Sequence, residues 1–139
     1  MQFIDVRDLT AWLLRNGDAG TQGLYNLTGP ATPLTMGGFL DAARQALNGT
    51  ATLRWADEDW LLSEGVVPWR ELPVWLSRTD AGLHQVSITQ ALATGLVCRP
   101  LVQTILDTMA WATPVAAPAG VGMAPEREAD LLSRTPSAL

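Results

Sequence analysis

At 139 residues, with 47% hydrophobic side chains and a formal charge of −5, the chain has room for one domain with a continuous core and for no second domain of ordinary size. The acidic balance argues against a nucleic acid or an anionic membrane as partner, because either wants a clustered positive field, and the nine basic residues are all Arg, which excludes Schiff-base chemistry, a P-loop and a Tyr/Lys pair within this chain. One cysteine, Cys98, allows no intrachain disulfide and one histidine, His84, no metal-ligand cluster; with no secretory leader and no apolar run near the roughly 18 residues of a membrane span, a reducing cytoplasm is the expected location.

Asp5-Val6-Arg7-Asp8 places one acidic residue at a helix N-cap and another three positions on, and Leu9, Trp12 and Leu13 recur at helical spacing. This predicts a helix over about 6–15, stopped by Asn16-Gly17. Leu24-Tyr25-Asn26-Leu27-Thr28 alternates like a short strand and is closed by Gly29-Pro30. Thr35 then caps a second helix with Phe39, Leu40, Ala43 and Leu47 as its buried stripe and Asn48-Gly49 as its stop. Thr52-Leu53-Arg54-Trp55 reads as another strand, and Asp57 caps a helix carrying Trp60, Leu61 and Leu62 to Gly65. Between Val66 and Leu76 two proline-containing runs, Pro68-Trp69-Arg70 and Pro73-Val74-Trp75, break regular structure and set two large aromatics on a loop. Gln85-Val86-Ser87-Ile88 reads as a short strand, 89–94 as a short helix ended by Gly95, and 100–112 as a longer helix with Val102, Ile105, Leu106 and Met109 on one side. A Pro/Ala/Gly linker and a short charged helix over about 126–133 complete the chain. Short strands alternating with helices make the expected class α/β, with 1–112 as one unit and 113–139 as linker and terminal helix.

The chemistry-bearing residues are few. Of the six tryptophans, Trp12, Trp60 and Trp111 sit at core spacing. Trp69 and Trp75, flanked by prolines and close to Arg70, suit stacking on a sugar or nucleoside ring, or wedging the loop onto the core. Arg7, Arg70 and Arg78 match a phosphate or carboxylate if several converge on one cleft, and are solvated surface charges otherwise. Asp5 and Asp8 suit acid–base work, but their spacing is already explained by helix capping. Asp57-Glu58-Asp59 is an ordinary acidic first turn rather than a metal site. Gly120-Val121-Gly122 lacks both a preceding strand and the third glycine of a dinucleotide loop. The residues by themselves compose no complete active site.

Two segments carry a resemblance. Gln2-Phe3-Ile4-Asp5-Val6-Arg7-Asp8-Leu9, followed by Gly23-Leu24-Tyr25-Asn26-Leu27-Thr28-Gly29 and Leu34-Thr35-Met36, resembles the second half of the extended short-chain dehydrogenase/reductase family, the NAD-dependent epimerases and dehydratases that usually act on nucleotide sugars. A later family element before the last long helix is similar to Thr89-Gln90-Ala91-Leu92-Ala93-Thr94-Gly95-Leu96, so the likeness covers about residues 2–112. It implies the C-terminal, substrate-side part of such a fold, without the Rossmann nucleotide-binding half. The family's glycine-rich loop and Tyr-x-x-x-Lys pair belong to that other half. The implied cofactor, NAD(P), would therefore be held elsewhere, with no cofactor and no catalytic residue in this chain. Where nucleotide-sugar epimerases have an Arg that grips the diphosphate, this chain has Met1. Trp69, Arg70, Trp75 and Arg78 are the implied substrate-side residues, for a small molecule such as a nucleotide sugar. The implied partner is a separate N-terminal half or a second copy. The alternative is a stand-alone, non-catalytic ligand-binding or dimerisation module derived from the same family.

Overall fold

The computed structural model describes residues 1–115 and 122–136; part of the expected linker, 116–121, and the last three residues, 137–139, lie outside the described residues. Helix α1 (Val6–Asp18) starts where the N-cap requires, with Asp5 Oδ1 accepting the Arg7 N–H at 2.9 Å. It runs through the expected stop, because the Asn16 side chain is buried and donates to the carbonyls of Trp12 and Thr94. The chain turns instead at Gly20, at φ 65°. Thr35 Oγ1 caps α2 (Met36–Ala46) by accepting the Gly38 N–H at 3.0 Å, and Asn48, at φ 51°, ends it. The Asp57 carboxylate caps α3 (Glu58–Ser63) on the N–H groups of Asp59 and Trp60. A 3₁₀ helix, Arg78–His84, follows the proline-rich loop. Then come α4 (Thr89–Ala93), α5 (Leu101–Ala112) and α6 (Pro125–Arg134), the last begun by a proline in its first turn.

The expected α/β class is overturned: the chain is helical. Segments 24–28, 52–55 and 85–88 join no ladder, and among the described residues β-bridging is confined to the isolated pair Pro68 and Leu72. A strand needs a neighbouring backbone about 4.8 Å away along its hydrogen-bonding direction. Here side chains take that place. Asn26 Nδ2 donates to the Ser87 carbonyl, while the Gln2 amide both donates to the Val86 carbonyl and accepts the Val86 N–H.

The core gathers Trp12, Ala91 and Leu96, with Ile4, Tyr25, Leu27 and Cys98 packed around them. The Trp12 indole lies 5.0 Å from the Tyr25 ring and donates its N–H to Thr94 Oγ1. Gly29 fits beneath this layer because a Cβ there would stand 3.0 Å from Cys98 Sγ and 3.1 Å from the Phe3 carbonyl oxygen. On the other side α2 packs on α5, and Phe39 meets Phe3 edge-on at 5.6 Å.

Three burial expectations fail: of the expected α2 stripe Phe39, Leu40 and Ala43 are only half-buried and Leu47 is 40% exposed, because α2 too has a single helical neighbour among the described residues, and two more fail on α5. Trp111 is 69% exposed, and of the α5 stripe Ile105 alone is buried while Val102, Leu106 and Met109 stay about half exposed. The cause is scarcity of neighbours: α2 covers one side of α5 and no other helix among the described residues packs against it. The whole chain exposes 9641 Å², about 2,600 Å² more than the roughly 7,000 Å² of a compact monomer of this mass. With so small a core, each buried aromatic matters. Trp12→Ala is expected to cost about 3–5 kcal/mol, a large part of a typical domain's stability, and chemical denaturation followed by circular dichroism measures it.

Candidate functional site

The N-terminal segment runs extended from Met1 to Asp5, held by the Phe3 N–H donating to the Gly29 carbonyl at 2.8 Å and the Gln2 N–H donating to His84 Nδ1 at 3.1 Å. It forms one wall of a groove of about 850 Å³. The α2 face of Phe39, Ala43 and Leu47 forms the second wall, α5 supplies Ile105, Met109, Trp111 and Ala112, and Val74 of the proline-rich loop closes one side. Asp5, Arg7, Thr104, Asp107 and Thr108 bring polar atoms to it.

Apart from Thr108, these polar groups are already committed to one another. Arg7 spans two carboxylates: Nη1 donates to Asp107 Oδ2 at 2.6 Å, while Nε and Nη2 donate to the two Asp5 oxygens at 2.9 and 2.7 Å. Asp5 Oδ2 also accepts the Thr104 hydroxyl at 2.9 Å and faces Arg99 Nε at 3.4 Å. Asp8 does not reach back to the cap; it takes the Arg99 guanidinium and backbone N–H at 2.7 to 2.9 Å. The Arg7 hydrogen bonds hold the Asp5 carboxyl well below the usual aspartate range although burial opposes them. For Asp8 burial pushes upward, and the Arg99 hydrogen bonds outweigh it, so that carboxyl is lowered too. Burial first, and then the Asp8 charge, raise the Cys98 thiol, which disfavours the reactive thiolate.

What the groove offers chemically follows from this. Both buried carboxylates are ionised and paired, which is poor for proton transfer near neutral pH. The forks of Arg7 and Arg99 are occupied, so a dinucleotide diphosphate meets no open guanidinium there, and the Gly122 N–H is turned to the Arg70 carbonyl at 2.9 Å instead of a phosphate. The groove suits an apolar surface seated beside a closed ion pair.

The four substrate-side candidates lie outside this groove. Trp69 is 57% exposed, with its ring 6.2 Å from that of His84. Trp75 is half-buried, and its carbonyl accepts the Trp69 N–H at 2.9 Å. The loop thus brings the two tryptophans together. Arg70 is exposed on the same loop. Arg78 stands apart, pairing with Glu58 at 3.3 Å and Asp59 at 2.6 Å, so the acidic turn of α3 serves as its counterion. Among the described residues no group of three or more His, Cys, Asp or Glu could hold a metal ion, and no helix is long and apolar enough to cross a membrane. Sequence reasoning missed Arg99, whose partner Asp8 lies 91 residues away, and missed Trp111 and Met109 as an open surface. Comparison of the chain with family models, with curated proteins and with solved structures found no match.

The depressed Asp5 and Asp8 carboxyls make stability depend on acid in a defined direction. Their contribution is fully present above about pH 5 and is lost as pH falls through about 4 toward their lowered native values. The denaturation midpoint is expected to drop steeply between about pH 4 and pH 2, and Asp8→Asn should flatten that drop while lowering stability by about 2 kcal/mol at pH 7.

Proposed function

We propose that this chain is the substrate-side portion of an extended short-chain dehydrogenase/reductase-like protein, non-catalytic by itself, acting in the cytoplasm with a separately folded nucleotide-binding half. The observation that carries this reading is the uncovered surface. The chain exposes about 2,600 Å² more than a compact monomer of its mass. This surface is apolar where it is concave: Trp111, Val6 and Met109 all stand open at the groove. Segment 24–28, with Leu24 93% exposed, makes no backbone–backbone hydrogen bond among the described residues, which leaves its backbone groups open to a partner.

In this reading NAD(P) and the Tyr-x-x-x-Lys pair come from the other half. A small molecule such as a nucleotide sugar would then meet this chain at the loop bearing Trp69, Arg70 and Trp75, while Arg78, held by Glu58 and Asp59, would not take part. A second copy seated in the same groove is the rival occupant, supported by the same apolar surface.

The test is to measure the mass of the chain in solution and titrate NADH by fluorescence, alone and after co-expression with the polypeptide encoded in frame upstream. The expected result is no NADH binding alone and a stable one-to-one complex that binds NADH with the second half. Trp111→Ser should weaken that complex about tenfold or more without disturbing the fold. A tight homodimer that shields Trp111 would favour the rival, and a monomer that ignores the upstream polypeptide would overturn both.

A further inference from the structure

Segment 66–76 adopts a backbone that its residues disfavour. Trp69 sits at φ 64° and Val74 at φ 67°, in the left-handed region where a bulky or β-branched side chain crowds its own backbone. Such residues persist only where the surroundings over-determine them. The determining bonds can be traced. The Trp69 N–H donates to the Trp75 carbonyl at 2.9 Å, the Trp75 N–H to the Leu72 carbonyl at 3.2 Å, and the Glu71 N–H to the Val67 carbonyl at 3.0 Å. Glu71 Oε2 accepts the Val67 N–H at 2.7 Å, bracing the loop from inside. Its other oxygen, Oε1, accepts Arg127 Nε of α6 at 2.6 Å.

A single carboxylate therefore joins the C-terminal helix to the loop. The junction is reinforced around it: Arg127 Nη2 donates to the Glu64 carbonyl at 3.1 Å, Arg134 Nη1 pairs with Glu64 Oε2 at 2.7 Å, and the Gly122 N–H donates to the Arg70 carbonyl. Leu131 of α6 and Val66 at the head of the loop are both buried. At the far end of the loop the Val74 carbonyl meets His84 Nε2 at 3.3 Å, so the groove wall that Val74 provides is continuous with the clamped segment. Since His84 Nδ1 accepts the Gln2 N–H, its proton sits on Nε2 and points to Val74.

We infer that α6 is a releasable clamp: docked through Arg127 on Glu71, it holds loop 66–76 in its strained form and with it the Val74 wall of the groove. Undocked, it lets Trp69 and Val74 relax to ordinary backbone and opens the loop. This inference is independent of what fills the groove.

Trypsin tests it on the full chain, because the Arg70–Glu71 bond lies within the loop and the Arg44–Gln45 bond in α2 is an internal reference. In Arg127→Gln, cleavage after Arg70 should be about tenfold faster relative to cleavage after Arg44, read by mass spectrometry of early digests. The unsubstituted protein supplies a second arm that does not depend on the variant's folding. Raising NaCl from about 0.05 to 1 M screens the Arg127 and Arg134 pairs and should raise the same ratio several-fold. An unchanged ratio in the folded variant or in salt would overturn the clamp, and so would equal acceleration at both bonds, which signals global unfolding.

Discussion

Arg99 closes on Asp8 with two side-chain bonds and one backbone bond, and lies 3.4 Å from Asp5, itself bound by Arg7 and Thr104. The side chains of Asp5, Asp8 and Arg99 are 6%, 11% and 18% exposed, so each charge has given up most of its water and depends on the others. That mutual dependence welds the first turn of α1 to the segment entering α5, and it fixes the extended residues before α1 as a groove wall. Removing one member of such a cluster leaves a buried charge uncompensated, so breaking it costs far more than its net contribution to stability. Exposed pairs such as Arg44 with Asp41 carry little of that weight.

Around this junction the apolar core is thin. Trp12, Ala91 and Leu96 make its centre, while Val6, Leu13, Leu14, Leu106 and Trp111 remain largely in water. A chain with 47% hydrophobic residues thus leaves many of its large apolar side chains exposed. The groove is where that surface becomes concave, and its polar rim is already self-satisfied. Occupancy by an apolar face is thus favoured over capture of an anion, a distinction set by the pairing of Arg7 with Asp5 and Asp107 and not by the mere presence of arginines.

The proline-rich loop and α6 form a second unit of mutual constraint. Prolines 68 and 73 limit the loop's alternatives, yet the positive φ of Trp69 and Val74 is maintained by bonds from outside them, through Glu71 and the C-terminal helix. The same loop holds the substrate-side candidates Trp69, Arg70 and Trp75, so whatever it recognises is presented on a backbone whose shape depends on a helix some 50 residues further along.

What the sequence determined by itself is local. Asp5, Thr35 and Asp57 cap α1, α2 and α3 as their spacing requires, since an N-cap needs only a side-chain oxygen and the next few N–H groups. The helix before residue 112 was legible for another local reason, the helical recurrence of Val102, Ile105, Leu106 and Met109, since its N-cap Pro100 makes no side-chain cap. Alternation at 24–28 and 85–88 misled: it does not reveal a partner, neither segment forms a strand, and at 85–88 the ends, Gln85 at ψ 25° and Ile88 at ψ 10°, are not even extended. Pairing is a long-range event, and here the neighbours offered are side chains of Gln2 and Asn26. Tertiary structure alone decided the rest. Helical spacing could not tell that one side of α5 would stay uncovered and leave Trp111 in the open, because burial depends on a neighbouring element and not on periodicity. Nor could Asp8 in a capping-box position reveal that its carboxylate would leave the cap for Arg99, since only the folded chain brings those residues within hydrogen-bonding reach.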